Sequence, residues 1–290
     1  MADAPAIQTA LGGFSDYELI DSGRRRKLER FGSVTVIRGE PKAWWEPTLS
    51  ARDWDRAQAV HDEDRGWSLR PGCPREWALR DGPLVFLARL SDTSKHLGIF
   101  PEQAPHWRAI QAAAAPGARL LNLFGYTGAA TLVAAAAGWH PTHVDASKPA
   151  TAWARDNQAA SGLAAKPIRW IVEDAMKYVR REIRRGSRYD GILLDPPAFG
   201  RGPDGRVWKV ERQLPELLDL CRQCLTDRPR ILILTTYNIE ASALMLRNLL
   251  GDLMQSFRGR LEAGELALPH SAAPDRLLPL SIYAKWTAGR

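Results

Sequence analysis

Two short stretches place a carboxylate where ligand chemistry can use it. The first is NLFGYTG, Asn122 to Gly128, followed by Asp145, 20 residues after Gly125. Gly125 and Gly128 let backbone N–H groups come close to a ligand, and an acid at this spacing can accept hydrogen bonds from both hydroxyls of a ribose. A dinucleotide site normally carries three glycines as G-x-G-x-x-G, one of which clears room for a pyrophosphate. Here two glycines form G-x-x-G with the bulky Tyr126 between them. The pattern suits a ribose-bearing ligand with no phosphate to cradle, such as S-adenosylmethionine, better than a nicotinamide dinucleotide.

The second stretch is Asp195-Pro196-Pro197-Ala198-Phe199. Two prolines remove two backbone donors and fix an extended turn. The Asp195 side chain and the local carbonyls are left as acceptors, and Phe199 offers a face on which a planar base can stack. Acceptors beside an aromatic are what positioning a ring or exocyclic nitrogen for methylation requires, because such catalysis is largely orientation.

The elements that must hold these residues follow from periodicity. Leu120 to Phe124 is an apolar run short enough for a buried strand, Ala129 to Ala137 a small-residue helix ended by Gly138, and Thr142 to Asp145 a second strand. Lys148 to Ala160 reads as a helix, Ile168 to Val172 as a strand leading to Glu173-Asp174-Ala175, and Ala175 to Arg185 as a helix. Tyr189 to Leu194 and Arg230 to Thr236 are further strands, Glu240 to Gln255 a helix, and Arg258–Leu268 with Leu278–Trp286 a closing antiparallel pair. Strands alternating with helices, with near-continuous apolar strands, mean a parallel sheet covered on both faces. Asp174, after the third strand, then lies at the same carboxyl edge as Asp145, within reach of an adenine amino group. A helix from Glu102 to Ala115, started by Pro101 and stopped by Pro116-Gly117, places Phe100 and Gln103 near the glycine turn.

Residues 14–90 read as a small β-rich subdomain with strand-like runs at Tyr17–Ile20, Ser33–Ile37 and Leu84–Leu87; residues 91–290 form the main domain. Five of the 11 tryptophans fall in the smaller piece. Core filling accounts for them better than base stacking does. The first 13 residues are expected to fray, and GRGPDGRVWKVE to form a mobile cover over the substrate.

Composition narrows the class. No run of 18 apolar residues is present, so no membrane-spanning helix is expected. Three cysteines point to a reducing compartment, the cytoplasm, without a disulfide framework. Cys221 and Cys224 lie on an amphipathic helix with no partner pair, so no metal site is expected. The net charge is +7; residues 1–90 balance, and the excess centres on Lys177, Arg180, Arg181, Arg184, Arg185 and Arg188. A basic face fits a nucleic-acid partner, although such a run is usually a solvated helix face.

Together, HLGIFPEQ (96–103), NLFGYTG, VDAS (144–147) and DPPAF make the chain resemble the class I S-adenosylmethionine-dependent methyltransferases. More narrowly it is similar to the bacterial ribosomal RNA large-subunit methyltransferases, strongly over residues 92–240. The resemblance implies a Rossmann-like α/β fold, a seven-stranded, mostly parallel sheet with an antiparallel C-terminal hairpin. It implies a donor site of Phe100, Gln103, Asn122, Phe124, Gly125, Tyr126, Thr127, Gly128, Asp145, Ala146, Asp174 and Ala175. Asp195, Pro196, Pro197 and Phe199 would face the acceptor. Relatives that methylate cytosine C5 need a thiol after the fifth strand; here that stretch is Leu234-Thr235-Thr236-Tyr237-Asn238. The expectation is therefore methylation of a base nitrogen in ribosomal (23S-type) RNA, the alternative being a protein or small-molecule acceptor. The oligomeric state is left open.

Overall fold

The computed structural model describes residues 7–92, 94–201 and 207–289. Its N-terminal part comprises β1 (Ile7–Leu11), β2 (Tyr17–Gly23), β3 (Arg26–Phe31), β4 (Val34–Gly39), α1 (Ala51–Trp54), β5 (Ala59–Asp62), β6 (Gly66–Leu69), β7 (Glu76–Asp81) and β8 (Leu84–Arg89). β2 to β6 form one five-stranded sheet, and β7–β8 a separate hairpin. The tryptophans here mostly fill space: Trp54 is buried, while Trp45, Trp67 and Trp77 are half-buried with their indole N–H groups donating to carbonyls of Ser22, Ser94 and Phe31. Trp44 alone of the five stands out in solvent, 80% exposed.

A 3-10 turn, Pro101–Gln103, leads into α2 (Ala104–Ala112), which starts two residues later and ends three residues earlier than expected. There follow β9 (Arg119–Leu123), α3 (Ala129–Ala136), β10 (His140–Asp145), α4 (Lys148–Ala160), β11 (Arg169–Val172), α5 (Ala175–Arg184) and β12 (Gly191–Leu194). The chain continues with β13 (Phe199–Arg201), β14 (Val207–Lys209), α6 (Val210–Gln223), β15 (Ile231–Thr236), α7 (Ala243–Met254), β16 (Gly259–Pro269) and β17 (Leu277–Ala288).

The main sheet has eight strands in the order β1-β16-β17-β15-β12-β9-β10-β11. β17 is antiparallel to both its neighbours, and the remaining pairs are parallel. The seven expected strands are present. The eighth is a correction: Ile7–Leu11, expected to fray, pairs with Ala263–Ala267 of β16. Its seat depends on Gly264, where a Cβ would fall 1.8 Å from the Gln8 carbonyl oxygen. Sequence periodicity does not register a glycine that makes room for a neighbouring backbone.

Alternation along the central strands divides the interior in two. Leu120, Leu193, Ile231 and Ile233 face a core that includes α2 and α3 and runs on into Leu19, Phe31, Val36 and Phe86 of the N-terminal part. Leu121, Ile192, Leu194, Leu232 and Leu234 face the other core, against α5, α6 and α7. The central strands are thus anchored from both sides, and their carboxyl ends, Leu123, Asp145 and Leu194, are held in fixed relative positions. The loop expected as a mobile cover begins with an antiparallel pair, β13 on β14, and ends in α6; its residues 202–206 lie outside the described residues.

Candidate active site

The turn after β9 is built from conformations that most side chains avoid. Phe124 and Tyr126 have φ of 59° and 50°, and Gly128, which starts α3, has 84°. Left-handed backbone at two bulky residues is costly and persists where the surroundings enforce it. The surroundings here are polar and buried. Asn122 Nδ2 donates to Thr131 Oγ1 at 2.9 Å, and Thr131 Oγ1 lies 3.0 Å from His143 Nδ1. Burial pushes His143 down to about 3, so its ring is neutral. A Cβ on Gly125 would sit 2.5 Å from that ring, which makes glycine a packing requirement at this position. Thr127 donates its hydroxyl to the Gly98 carbonyl and accepts from Asn157 Nδ2 through its own carbonyl at 2.9 Å. Asn122, Thr127 and Gly128, expected at the ligand, therefore brace the turn from behind; none of them lines the large cleft in front of it.

That cleft, about 810 Å³, opens at the carboxyl edge of the sheet. Phe100, Phe124, Tyr126, Asp145, Ala146 and Asp174 line it from the donor side, and Asp195, Pro196, Pro197 and Phe199 from the acceptor side. A smaller cavity of about 80 Å³, lined by Asn122, Gly125 and Thr127 among others, continues beneath the turn. Asp145 accepts the Tyr126 and Ser147 N–H groups, each at 2.8 Å. Burial nevertheless raises its carboxyl above the usual range, because two backbone donors under-satisfy a desolvated carboxylate. Asp174 caps α5 by accepting the Lys177 N–H at 2.9 Å through one oxygen, leaving the other for a ligand. Ala175 is a correction: as the first residue of α5 it is buried in the core and does not line the cleft.

Gln103 lines the smaller cavity beneath the turn and also reaches the acceptor side. Its Nε2 lies 3.1 Å from Asp195 Oδ2 and 3.0 Å from the Tyr237 hydroxyl, so it links the acceptor-side carboxyl to the end of β15. Asp195 Oδ1 is buried without a hydrogen-bond partner. Burial, reinforced by Glu102, raises the Asp195 carboxyl to about 8. Phe199 is 55% exposed at the mouth, on β13. The turn is fixed by Trp208 of β14, whose indole N–H donates to the Pro197 carbonyl at 2.7 Å while its ring packs on Phe124. Trp208, Tyr237 and His96 line the cleft without having been singled out in the sequence. All three had a signal: Tyr237 follows an apolar strand at the carboxyl edge, His96 opens HLGIFPEQ, and Trp208 lies in the loop expected to cover the substrate.

The basic run on α5 is mostly spent within the protein. Lys177 and Arg181 pair with Glu173, Arg180 with Glu216 and Arg185 with Glu182. Cys221 and Cys224 are fully buried in the core and Cys73 belongs to the N-terminal part, so among the described residues no thiol lines the cleft. No helix is long and apolar enough to cross a membrane.

A family model described as S-adenosylmethionine-dependent methyltransferase matches residues 63–240. A structure titled SAM-dependent methyltransferase from Agrobacterium tumefaciens is 42% identical, with a TM-score of 0.93 over 99% of this chain and 95% of that one. The ribosomal RNA large subunit methyltransferase K/L of Pseudomonas aeruginosa is 38% identical over 143 residues, 48% of this chain and 19% of that protein. Its counterpart in Chromohalobacter salexigens is 36% identical over 174 residues, 57% of this chain and 23% of that protein. The match thus spans about a fifth of the length of these curated relatives.

Proposed function

The chain belongs to the S-adenosylmethionine-dependent methyltransferases, and on that footing we propose that it methylates a base nitrogen of ribosomal RNA, working in the cytoplasm. The donor supplies a methyl group already activated on a sulfonium, so the protein's task is to hold and orient. The residues present fit that donor. Asp145 is a desolvated carboxylate with only two backbone partners, and the two hydroxyls of a ribose would complete its hydrogen bonding. Asp174 keeps one oxygen for the adenine amino group, and Phe100 and Tyr126 offer apolar walls.

One observation carries the acceptor reading: Asp195 Oδ1 is buried, unpartnered and set in a cleft with an exposed aromatic at its mouth. A buried acceptor without a partner is costly unless a ligand completes it. An amino or imino N–H would do so, and its nitrogen would then be aimed by Asp195 while the ring lies on Phe199. Gln103, itself bonded to the Tyr237 hydroxyl, holds the other oxygen, so Oδ1 is the free one. A carboxyl near pH 8 can also take the proton that the nitrogen gives up on methylation. The absence of a thiol from the cleft's described lining speaks against carbon-5 chemistry, which needs a covalent adduct. The names of the partial relatives support ribosomal RNA as the class of acceptor.

Phe199→Ala tests the reading. It should weaken acceptor binding by about 1–3 kcal/mol, the range for one stacked base, with donor affinity by calorimetry near the parent's. Equal loss of donor and acceptor binding would make the ring a prop, and no loss of either would leave DPPAF a plain turn.

A further inference from the structure

Trp44 is the most exposed large apolar side chain among the described residues, at 80%, ahead even of Phe199. It does not hang loose. Its indole N–H donates to the Pro41 carbonyl at 2.7 Å, and the loop around it is tied down on both sides. Lys42 Nζ donates to the Leu280 carbonyl of β17 at 2.5 Å, and Trp45 Nε1 to the Ser22 carbonyl at 2.9 Å. An aromatic that is held rigid and left in water contributes little to folding, yet it is already ordered for a partner.

The chain beside it is equally unusual. Gly23 pairs with Arg26, so Arg24-Arg25 is a two-residue hairpin turn, and both residues have positive φ, 49° and 60°. Such turns favour Asn and Gly; two arginines there break the local rule. Backbone bonds place this turn against Trp44 from both directions: Arg24 N donates to the Trp45 carbonyl at 2.8 Å and Arg25 N to the Ala43 carbonyl at 2.7 Å. Arg24 has only an exposed pairing with Glu46, and Arg25 has no ion pair among the described residues. By contrast, three cations on α5 and Arg185 just past its end are paired within the protein. The same loop adjoins the cleft, since Lys42 and Asn238 share a depression of about 220 Å³ and Asn238 also lines the cleft.

We propose that Trp44, Arg24 and Arg25 form a docking surface for an unpaired stretch of the RNA substrate, one base stacking on Trp44 and the arginines meeting the flanking phosphates. This rests on the reading of RNA as acceptor. A ring face accepts any base, and exposed guanidinium groups supply phosphate contacts without reading sequence, so the surface would deliver RNA to the cleft and leave base choice to Asp195. A weak surface pairing such as Arg24–Glu46 yields readily to a phosphate.

Fluorescence anisotropy with a labelled single-stranded oligoadenylate tests this in the full chain. Trp44→Ala should weaken binding about 5- to 140-fold, the span that 1–3 kcal/mol gives at about 1.4 kcal/mol per tenfold, while Trp44→Phe keeps most of the affinity. Arg25→Ala should make binding less salt-dependent, by about 0.7 in the log–log slope for one phosphate contact. Donor affinity and melting temperature should stay at parental values in all three. If the parent binds the oligonucleotide and Trp44→Ala binds it equally well, the docking surface is refuted and the acceptor reading stands. If the parent binds no RNA of any kind, both fall together. If Trp44→Ala instead turns a dimer into a monomer in sedimentation, the surface is a contact between copies of this chain and the proposal is wrong.

Discussion

Asp195 sets activity and stability against each other. With its carboxyl raised to about 8 by burial and by Glu102, the folded protein keeps a proton there that the unfolded chain releases near pH 4. Between those values the folded state binds the extra proton, so this group's contribution to stability falls as pH rises from about 4 to about 8. Asp195→Asn removes the titration. Its melting temperature should exceed the parent's increasingly over that range, with the gap closing below pH 4, while methyl transfer drops sharply. The parent's kcat should climb with pH and level off above about 8 as Asp195 ionises. Calorimetric scans and a pH–rate profile check both; an Asp195→Asn protein that melts below the parent at pH 8 would show the carboxylate to be satisfied after all. On the donor side, Asp145→Ala should weaken S-adenosylmethionine binding by about 2 kcal/mol, the value of a charged hydrogen bond, measured by calorimetry on the folded variant. The motif acids were legible because their types and spacing are the chemistry. The bond from Gln103 to Asp195 was not, because it depends on where a 3-10 turn 92 residues away in sequence comes to lie.

At the scale of elements, the turn from Phe124 to Gly128 is held by what lies under it. Asn122, Thr131 and His143 form a buried polar chain, and Gly125 is the only residue type that clears the His143 ring. Gly125→Ala should therefore destabilise the protein and weaken donor binding together, through displacement of Tyr126 and its bond to Asp145, and thermal melting beside calorimetry should show both losses. A variant that loses affinity with unchanged melting would instead place Gly125 against the ligand. Strand–helix alternation predicted these elements closely because both cores demand apolar side chains at alternate positions of every central strand. The buried bonds that Asn122 and Thr127 make behind the turn were not legible, since a string does not show which partners a polar side chain meets.

Across the whole molecule, the N-terminal sheet is tied together by charge as well as by apolar contact. Burial opposes ionisation of Glu29, but Arg38 and Lys27 pull its carboxyl down to about 2, with Arg38 bonding it through two nitrogens at 2.5 and 2.9 Å. Glu29→Ala would strand Arg38 and should cost about 3–5 kcal/mol of stability in chemical denaturation. Stability should also decline in acid: His96, His106 and His143, all pushed to about 3 by burial, stay neutral when folded, whereas the unfolded chain protonates them below about pH 6.5. The Asp195 effect runs the other way, which places the stability maximum at roughly pH 6–7 in a melting series. The apolar continuity of the N-terminal sheet with the core under α2 and α3 was not legible, because it rests on contacts between segments far apart in the chain.

The central claim is that the methyl group ends on a base nitrogen of RNA. Incubating the protein with ribosomal RNA and an isotopically labelled methyl donor, then digesting the RNA to nucleosides for mass spectrometry, tests it most directly. The account predicts label in a nucleoside methylated on a ring or exocyclic nitrogen, lost in Asp195→Asn and retained when Cys73, Cys221 and Cys224 are all changed to serine. Label in 5-methylcytidine or on a ribose oxygen, or RNA left unlabelled while a protein or small molecule in the same extract takes the methyl, would contradict it.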